Sequence, residues 1–568
     1  MSPAAIAFFP LLFPTILTQS GQELFSNQSN VMEETNGNVT QPPPMTGDLP
    51  DFWRMDSDTQ SVQQKRNKLV EEVLGMKKYE KMRRALEMIK KSEGSLNVSK
   101  TADNVLAEVE LMQQVNRIGA QPTNSSDFVP PDSVPTLQRV NSPIGEMLFQ
   151  GDILLNEHQA DEIISQQQQQ QQQAADRLGK RRRRRQVQKG RIFPLNKWNV
   201  SEPIAYRFDV SINENTRRLV RLAAQFWQDN SCVSFQEDGQ RPPKEMSLGA
   251  GCEVFGTITH EFGHLLGMFH HHARQDRDEK IQVITENIEP GWKDQYRKET
   301  ADRSDLEGIG YNYASNMHYG GTNSDSVTVV MAAKHKHFQH TMGNNKGPVF
   351  LDLVTVNKYY KCFDKCPSAF APRVLVVITA GKRAASDAGG IDEPCGETVT
   401  AENGPKGLRG SVTPKTEPGR LMSDRQAVCH YHIEVAPPGS RVQLEFISLS
   451  GTCTPECHFG AVEIKLGDFK KGGIRICCEK HIAELGGTLV TEAQRAIVSV
   501  YSQRNNRTFT LTHKITSDSA PANDDFFGSR RSPFSLFPGP PSSLSILINA
   551  INGWMNSGSP LKRSDVGT

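Results

Sequence analysis

The stretch His260-Glu261-Phe262-Gly263-His264-Leu265-Leu266-Gly267-Met268-Phe269-His270 constrains this chain more than any other. On a helix, residues four apart project from one face a turn apart, so His260 and His264 can grip a single ion. Gly267 can adopt the left-handed conformation that ends a helix, which turns the chain and returns His270 as a third ligand. His271 and His272 follow directly, and the spacing around Gly267 favours His270 over both. An isolated histidine is most often a structural side chain and a bare H-E-x-x-H is only moderately specific, whereas the extended form is a much stronger signal. Three neutral imidazoles leave one zinc ion its full charge and an open position, which lowers the pKa of bound water to about 7. Glu261, beside the first ligand, can take a proton from that water and pass it to a leaving amine. Farther on, Ser315-Asn316-Met317-His318-Tyr319 reads, after the histidine motif, as a methionine turn beneath the metal. Tyr319 is then a further ligand or a stabiliser of the tetrahedral intermediate.

Composition places this motif in a particular kind of chain. With 568 residues, the length suits roughly two to four domains. Hydrophobic residues make up 36%, charged residues 23%, and the formal net charge is +1, so no global excess of charge argues for a nucleic-acid partner. Ala4 to Leu17, broken by Pro10 and Pro14, has the length of a signal-peptide core and is too short for a bilayer span; no other segment is apolar enough for one. All ten cysteines fall between Cys232 and Cys478, an even set that implies disulfides and an oxidising, extracellular destination. Glycosylation sequons at Asn27, Asn38, Asn97, Asn124, Asn199 and Asn506 agree with secretion.

Along the chain, Ser20 to Pro50 is polar and Pro-rich and is expected to be disordered. Val62 to Ile118 is dominated by strong helix formers and reads as a solvated helical pair without chemistry. A Pro- and Ser-rich linker, the segment Phe149-Gln150-Gly151-Asp152 and a glutamine run from Gln166 to Gln173 lead into Lys180-Arg181-Arg182-Arg183-Arg184-Arg185. By itself that basic block fits a nuclear or nucleic-acid patch as well as a convertase cleavage site. The texture then becomes globular, with a strand expected over Ile204 to Val210 and an amphipathic helix over Asn215 to Asp229. Beyond Pro367, alternating segments such as Arg441 to Ile447 and Ala496 to Tyr501 indicate an all-β module. The tail after Ser517 gathers Asp, Ser, Pro and Gly and is expected to be disordered.

Through HEFGHLLGMFHHHARQDRD from His260 to Asp278, Asn287-Ile288-Glu289-Pro290-Gly291 and the turn at Ser315 to Tyr319, the chain resembles the astacin family of zinc metalloendopeptidases. The resemblance covers about Trp198 to Cys362 and implies an α+β zincin catalytic domain, placed at 186–366, acting on protein substrates. Phe149, Gly151 and Asp152 match the family's F-x-G-D prosegment motif, whose aspartate takes the zinc position of water and keeps the zymogen silent. This implies a signal peptide at 1–20, a helical and disordered prosegment at 21–185, and processing by a convertase after Arg185. Cys232 and Cys362 match a disulfide pair of the family. Cys395 to about Ile515 resemble a CUB domain, through Cys429-His430-Tyr431-His432-Ile433, Ala436-Pro437-Pro438-Gly439 and Val462-Glu463-Ile464. An all-β sandwich is therefore expected at 395–516, with Cys395, Cys429, Cys453, Cys457, Cys477 and Cys478 as further disulfide candidates. Nematode astacins that act on cuticle and egg-envelope matrix carry this arrangement, often with an EGF module before the CUB domain. Here 367–394 is a linker or a vestigial EGF module, of which Cys366 is the remnant, and 517–568 is the tail.

The chain departs from the family pattern in two places. The family has a glutamate beside the third histidine that anchors the new amino terminus, and this chain has His271. Between Gln240 and Gly251 the family has a longer segment, with the edge strand that pairs with substrate and a cysteine partner for Cys252; here Arg241-Pro242-Pro243-Lys244-Glu245-Met246 closes the gap. The second departure supports an alternative expectation: a catalytically weak, zinc-holding pseudoprotease that binds matrix proteins through its CUB domain.

Overall fold

The computed structural model describes residues 7–8, 76–92, 136–141, 145, 148–154, 160–161, 164–165, 197–208, 212–238, 252–289, 291–299, 304, 306–365, 395–416, 420 and 422–517. In the amino-terminal region, β1 (Ala7–Phe8) pairs antiparallel with β2 (Ile153–Leu154), and the helices are α1 (Met76–Ser92) and α2 (Leu137–Asn141). The helical stretch read as solvated is corrected in part. Met82 and Ala85 of α1 are buried and join one apolar cluster with Leu148, Phe149 and Ile153. Their spacing puts both on one face of α1, which is what lets that face reach a core. The rest of Val62 to Ile118, the glutamine run, Arg185, Cys366 and the tail lie outside the described residues.

The globular part opens with β3 (Ile204–Tyr206), which pairs in parallel with β4 (Phe235–Glu237) across α3 (Glu214–Asp229). The expected strand is shorter than its apolar pattern, and Val210 lies outside the described residues. Asn213 caps α3, its Oδ1 accepting from the Thr216 N–H at 2.9 Å, which satisfies one of the donors that a helix start leaves orphaned. The buried stripe Leu219, Val220, Ala223, Phe226 and Trp227 packs α3 on α4 (Phe255–Leu265). Phe226 meets Phe255 edge to face at 5.8 Å, and the Trp227 indole donates to the Thr259 carbonyl at 3.2 Å. A short antiparallel pair, β5 (Ile281–Val283) with β6 (Met331–Ala333), follows. Then α5 (Phe350–Tyr359) adds Leu353, Val356 and Tyr359 to the same core. The Cys232–Cys362 disulfide ties the chain just after α3 to the chain just after α5, across 130 residues.

Residues 395–517 carry β7 (Thr398–Thr400), β8 (Lys406–Val412), β9 (Ala427–Glu434), β10 (Ser440–Ser450), β11 (Gly460–Lys465), β12 (Ile474–Ile476), β13 (Leu489–Val490), β14 (Arg495–Ser502) and β15 (Arg507–Ser517), with the short α6 (Lys480–Glu484) between β12 and β13. They form two sheets, in the orders β13-β10-β15-β8 and β12-β11-β14-β9-β7. Along β10 and β15 buried residues alternate with more exposed ones, as expected where one face of a sheet meets a core. Val442, Leu444, Phe509, Leu511, Val462, Ile464 and Val498 supply that core. Strand β11 is buried on both faces, and the Lys346 ammonium of the zincin-like part lies 4.7 Å over the ring of Tyr501, the residue of β14 that pairs with Ala461 of β11. Three disulfides, Cys395–Cys429, Cys453–Cys478 and Cys457–Cys477, complete the pairing of all eight candidate cysteines. Cys252 is buried and takes part in none of the four disulfides.

Because the Cys232–Cys362 bridge closes a long loop, replacing both residues by serine is expected to cost about 2–5 kcal/mol of unfolding free energy. A fall in the urea midpoint of the purified protein checks it, and an unchanged midpoint refutes it.

Candidate metal centre and active site

Helix α4 presents His260 and His264 on one face, ends at Leu265, and is followed by Gly267 at a φ of +94°. That conformation strains any residue with a Cβ, and the reversal it permits carries His270 back over the helix. The Nε2 atoms of the three histidines form a near-equilateral triangle, with edges of 3.0 Å between His260 and His264 and 3.1 Å from each to His270. All three rings are buried. His260 Nδ1 donates to the Asn316 carbonyl at 2.7 Å and His264 Nδ1 to the Met268 carbonyl at 2.8 Å. A carbonyl oxygen can only accept, so both protons sit on Nδ1 and the Nε2 lone pairs face one another. His270 is instead held by ring contacts, stacked on His272 at 5.1 Å and tilted on Tyr319 at 4.3 Å. Burial pushes His264 below its ordinary pKa and His270 down to about 3, so these two rings are neutral at pH 7.

Nitrogen lone pairs converging in a dry pocket repel unless a cation lies between them. Tetrahedral zinc, with nitrogen ligands at about 2.0–2.1 Å, spaces those ligands about 3.3 Å apart, close to the triangle found here. The donor set therefore fits zinc. Asp152 stands at the fourth corner, with Oδ2 2.8 Å from His270 Nε2 and 3.3 Å from His260 Nε2, and Oδ1 3.5 Å from His264 Nε2. A buried carboxylate facing buried lone pairs strengthens the demand for a cation.

The segment that delivers Asp152 is fixed on both sides. Gln150 accepts from the His270 backbone N–H at 3.0 Å and donates to Glu299 Oε1 at 2.6 Å. Gly151 has a φ of +86°, and a Cβ there would lie 2.6 Å from the Tyr319 hydroxyl, which explains the glycine of the motif. Tyr319 donates to the Gln150 carbonyl at 2.6 Å and lies 3.4 Å from Asp152 Oδ2. Upstream, the Gln295 amide donates to the Gly145 carbonyl at 2.8 Å, and the Arg139 guanidinium donates to the Ser324 carbonyl at 2.8 Å.

Below the histidines, Met317 packs on α4 at Gly263, where a Cβ would meet its sulfur at 2.6 Å. The turn is tied down by Asp352 of α5, a residue the sequence reading missed. Its carboxylate accepts from Ser315 Oγ at 2.6 Å, from the Asn316 N–H at 2.9 Å and from the Val349 N–H at 3.0 Å. Asn316 thereby holds out the carbonyl that orients His260. An acidic residue in the first turn of a helix was the one available signal, and it is shared by many helices.

Glu261 is buried beside the triangle, and its Oε2 has no hydrogen-bond partner among the described residues. Burial first, and the charge of Asp152 second, push its carboxyl well above the usual range. His271 and His272 are engaged elsewhere. His271 donates its backbone N–H to the Met317 carbonyl at 2.6 Å and accepts the Asn312 N–H on Nε2 at 3.0 Å, while His272 donates to the Gln295 carbonyl at 3.2 Å. Of the sequons, Asn199 and Asn506 are exposed, and Asn27, Asn38, Asn97 and Asn124 lie outside the described residues.

Metal-assisted hydrolysis of a peptide bond uses a Lewis acid and, beside it, a base free to take a proton; the fold and site together define a zinc metallopeptidase. Residues 191–243 and 238–361 match the Astacin peptidase family, and this part of the chain belongs to that family. The two matched pieces meet where the segment before Cys252 is short. The zinc metalloproteinase nas-28 of Caenorhabditis elegans is 28% identical over 434 residues, spanning 68% of this chain and 82% of that protein. Zinc metalloproteinase nas-31 of the same organism is 30% identical over 381 residues, 60% of each chain. Among solved structures, high choriolytic enzyme 1, a hatching enzyme zinc-protease from the medaka fish Oryzias latipes, is 22% identical with a TM-score of 0.26, covering 28% of this chain and 89% of that one. The CUB1-EGF-CUB2 domain of human MASP-1/3 is 21% identical with a TM-score of 0.16, covering 22% of this chain and 43% of that one.

Removing an outer-shell partner of a metal ligand typically costs 10–100-fold in metal affinity. Asp352→Ala is expected to weaken zinc binding by about that factor, read by competition with a chromophoric chelator. Unaltered affinity in a folded variant would show that the turn orients His260 without Asp352.

Proposed function

We propose that this protein is a secreted zinc endopeptidase made as a latent precursor. His260, His264 and His270 hold the metal, Glu261 is the general base, and Tyr319 stabilises the tetrahedral intermediate. Asp152 keeps the site silent until the chain is cut after Arg185. The observation that carries the reading is the seating of the Asp152 carboxylate among three convergent imidazoles, on a segment separate in sequence from all of them.

When bound, zinc polarises the scissile carbonyl and lowers the pKa of the attacking water to about 7. Glu261 takes the proton of that water and returns it to the departing amine, a role for which its Oε2, without a hydrogen-bond partner among the described residues, is available. Tyr319 is occupied by the Gln150 carbonyl in the precursor. Withdrawal of the segment carrying Gln150 and Asp152 frees the hydroxyl to donate to the oxyanion and opens the fourth corner to substrate. One displacement thus accounts for both latency and activation.

Four disulfides and the exposed Asn199 and Asn506 support an extracellular destination, and among the described residues no helix is long and apolar enough to cross a membrane. On this reading 21–185 is the prosegment, 186–366 the catalytic domain and 395–516 a CUB-like module. The substrates are proteins of the extracellular matrix or cuticle, and a convertase is the processing partner.

Glu261→Ala is expected to lower kcat/KM on casein or gelatin by about 10²–10⁴-fold with one zinc per chain retained. Equal cleavage by the two proteins would remove Glu261 from the mechanism. Asp152→Ala should make the unprocessed precursor active, and latency that survives the substitution would overturn the role given to Asp152.

A further inference from the structure

Beside His260 lies a small cavity of about 40 Å³ whose walls come from three separate parts of the chain. One wall is Thr136, Leu137 and Gln138, in the segment proposed to leave on activation. The second is the first turn of α4 together with Gly320 and Gly343 to Asn345. The third is Glu456 and His458, from the loop between β10 and β11 of the carboxy-terminal sandwich.

That third wall is firmly built. Glu456 Oε1 accepts from the Thr322 hydroxyl at 2.8 Å and from its N–H at 3.2 Å, and Asn345 donates to His458 Nε2 at 3.0 Å. The carboxyl enters a slot that only glycine leaves open, since a Cβ on Gly320 would lie 1.9 Å from it and one on Gly343 2.6 Å. Behind the loop, Arg475 donates to Asn344 Oδ1 at 2.9 Å, Thr341 to the Gly473 carbonyl at 3.1 Å, and the Gly472 N–H to Asn312 Oδ1 at 3.1 Å. At the other edge, Asp424 pairs with Arg218 of α3, and the Arg425 guanidinium lies 4.7 Å over the Phe255 ring at the start of α4. The sandwich is therefore fastened to α3 and α4, the two helices joined by the shortened segment, and it reaches the cavity beside the metal ligands.

We propose that the sandwich forms one wall of the substrate cleft and that Glu456 is its specificity-determining residue, receiving a basic side chain of the peptide. Among the described residues that line the cavity, Glu456 has the one carboxylate and none is Lys or Arg. Burial lifts that carboxyl to about 7, although the Thr322 hydrogen bonds and the charge of His340 hold it down, so its ionised form gains from a further cation. Once the wall of Thr136, Leu137 and Gln138 has withdrawn, a lysine or arginine that enters beside Glu456 supplies the cation and forms a charge-assisted pair in a sheltered place. This assignment rests on the peptidase reading.

The test uses the full-length protein with its prosegment removed at the basic run, and peptide pairs that differ only by Lys or Gln at one position near the scissile bond. At one such position the wild type is expected to prefer Lys by about tenfold in kcat/KM, and Glu456→Gln to narrow the ratio to within about twofold. A wild type indifferent to Lys at every position, or a ratio that Glu456→Gln leaves unchanged, overturns the proposal. Binding of the same peptides to the Glu261→Ala protein, by fluorescence anisotropy, separates the two readings. Lys-selective binding that Glu456→Gln abolishes, with no cleavage by the wild type, sinks the peptidase reading and keeps the subsite; equal binding of both peptides sinks the subsite.

Discussion

Three imidazole nitrogens within about 3 Å of one another, away from water, are the constraint on which the rest of this structure depends. Without a cation they repel, so the surrounding structure must hold them against that repulsion until the ion is bound. Each ring is secured by a different means. His264 is fixed from within the turn it helps to end, through the Met268 carbonyl; His260 is fixed from the methionine turn, through Asn316; His270 is wedged between rings. Asp352 stands behind the second of these, so α5, far along the chain, is coupled to the metal through one carboxylate and two adjacent residues. The Cys232–Cys362 bridge, which ties the chain after α5 to the chain after α3, belongs to the same support.

The proposed latency uses the same charges that catalysis would use. A carboxylate placed where water and substrate must come is held by groups with their own later roles: Tyr319, released to the oxyanion, and the His270 backbone, released from Gln150. The buried face of α1 bears on this. Met82 and Ala85 share a cluster with Leu148, Phe149 and Ile153, so the segment carrying Asp152 is fixed by apolar packing as well as by polar contacts. Apolar burial of that kind supplies a stability that a single ion pair in a wet cleft would not.

The zinc motif was legible in sequence because it is local: helical spacing, a glycine turn and a glutamate lie within one short stretch, and geometry follows from spacing alone. The capped helix α3 and the alternating strands of the sandwich were legible for the same reason, with shifts of one residue at the ends of α3 and β14 and of up to three at the end of β10. The solvated reading of α1 failed in part because a few apolar residues on a charged helix carry no mark of whether a partner surface exists. Asp352 was invisible since its three partners come from two separate segments, Ser315 to Asn316 and Val349. The cavity wall formed by Glu456 was invisible too: a contact between residues 320–322 and residue 456 has no period and no spacing rule to announce it.

That long-range contact changes what the shortened segment before Cys252 means for the cleft. On the sequence alone, its loss takes away a wall of the substrate site and points to a retired protease. In the folded chain a second domain is fastened beside the same helices, and its loop reaches the cavity next to His260. Gly320 leaves room for the Glu456 carboxyl, and Gly343, whose φ of +77° calls for glycine in any case, borders the same slot. A cleft completed by a second domain ties substrate selection to the integrity of both units, and the interface that aligns them then belongs to the active site as much as the helix that carries the histidines.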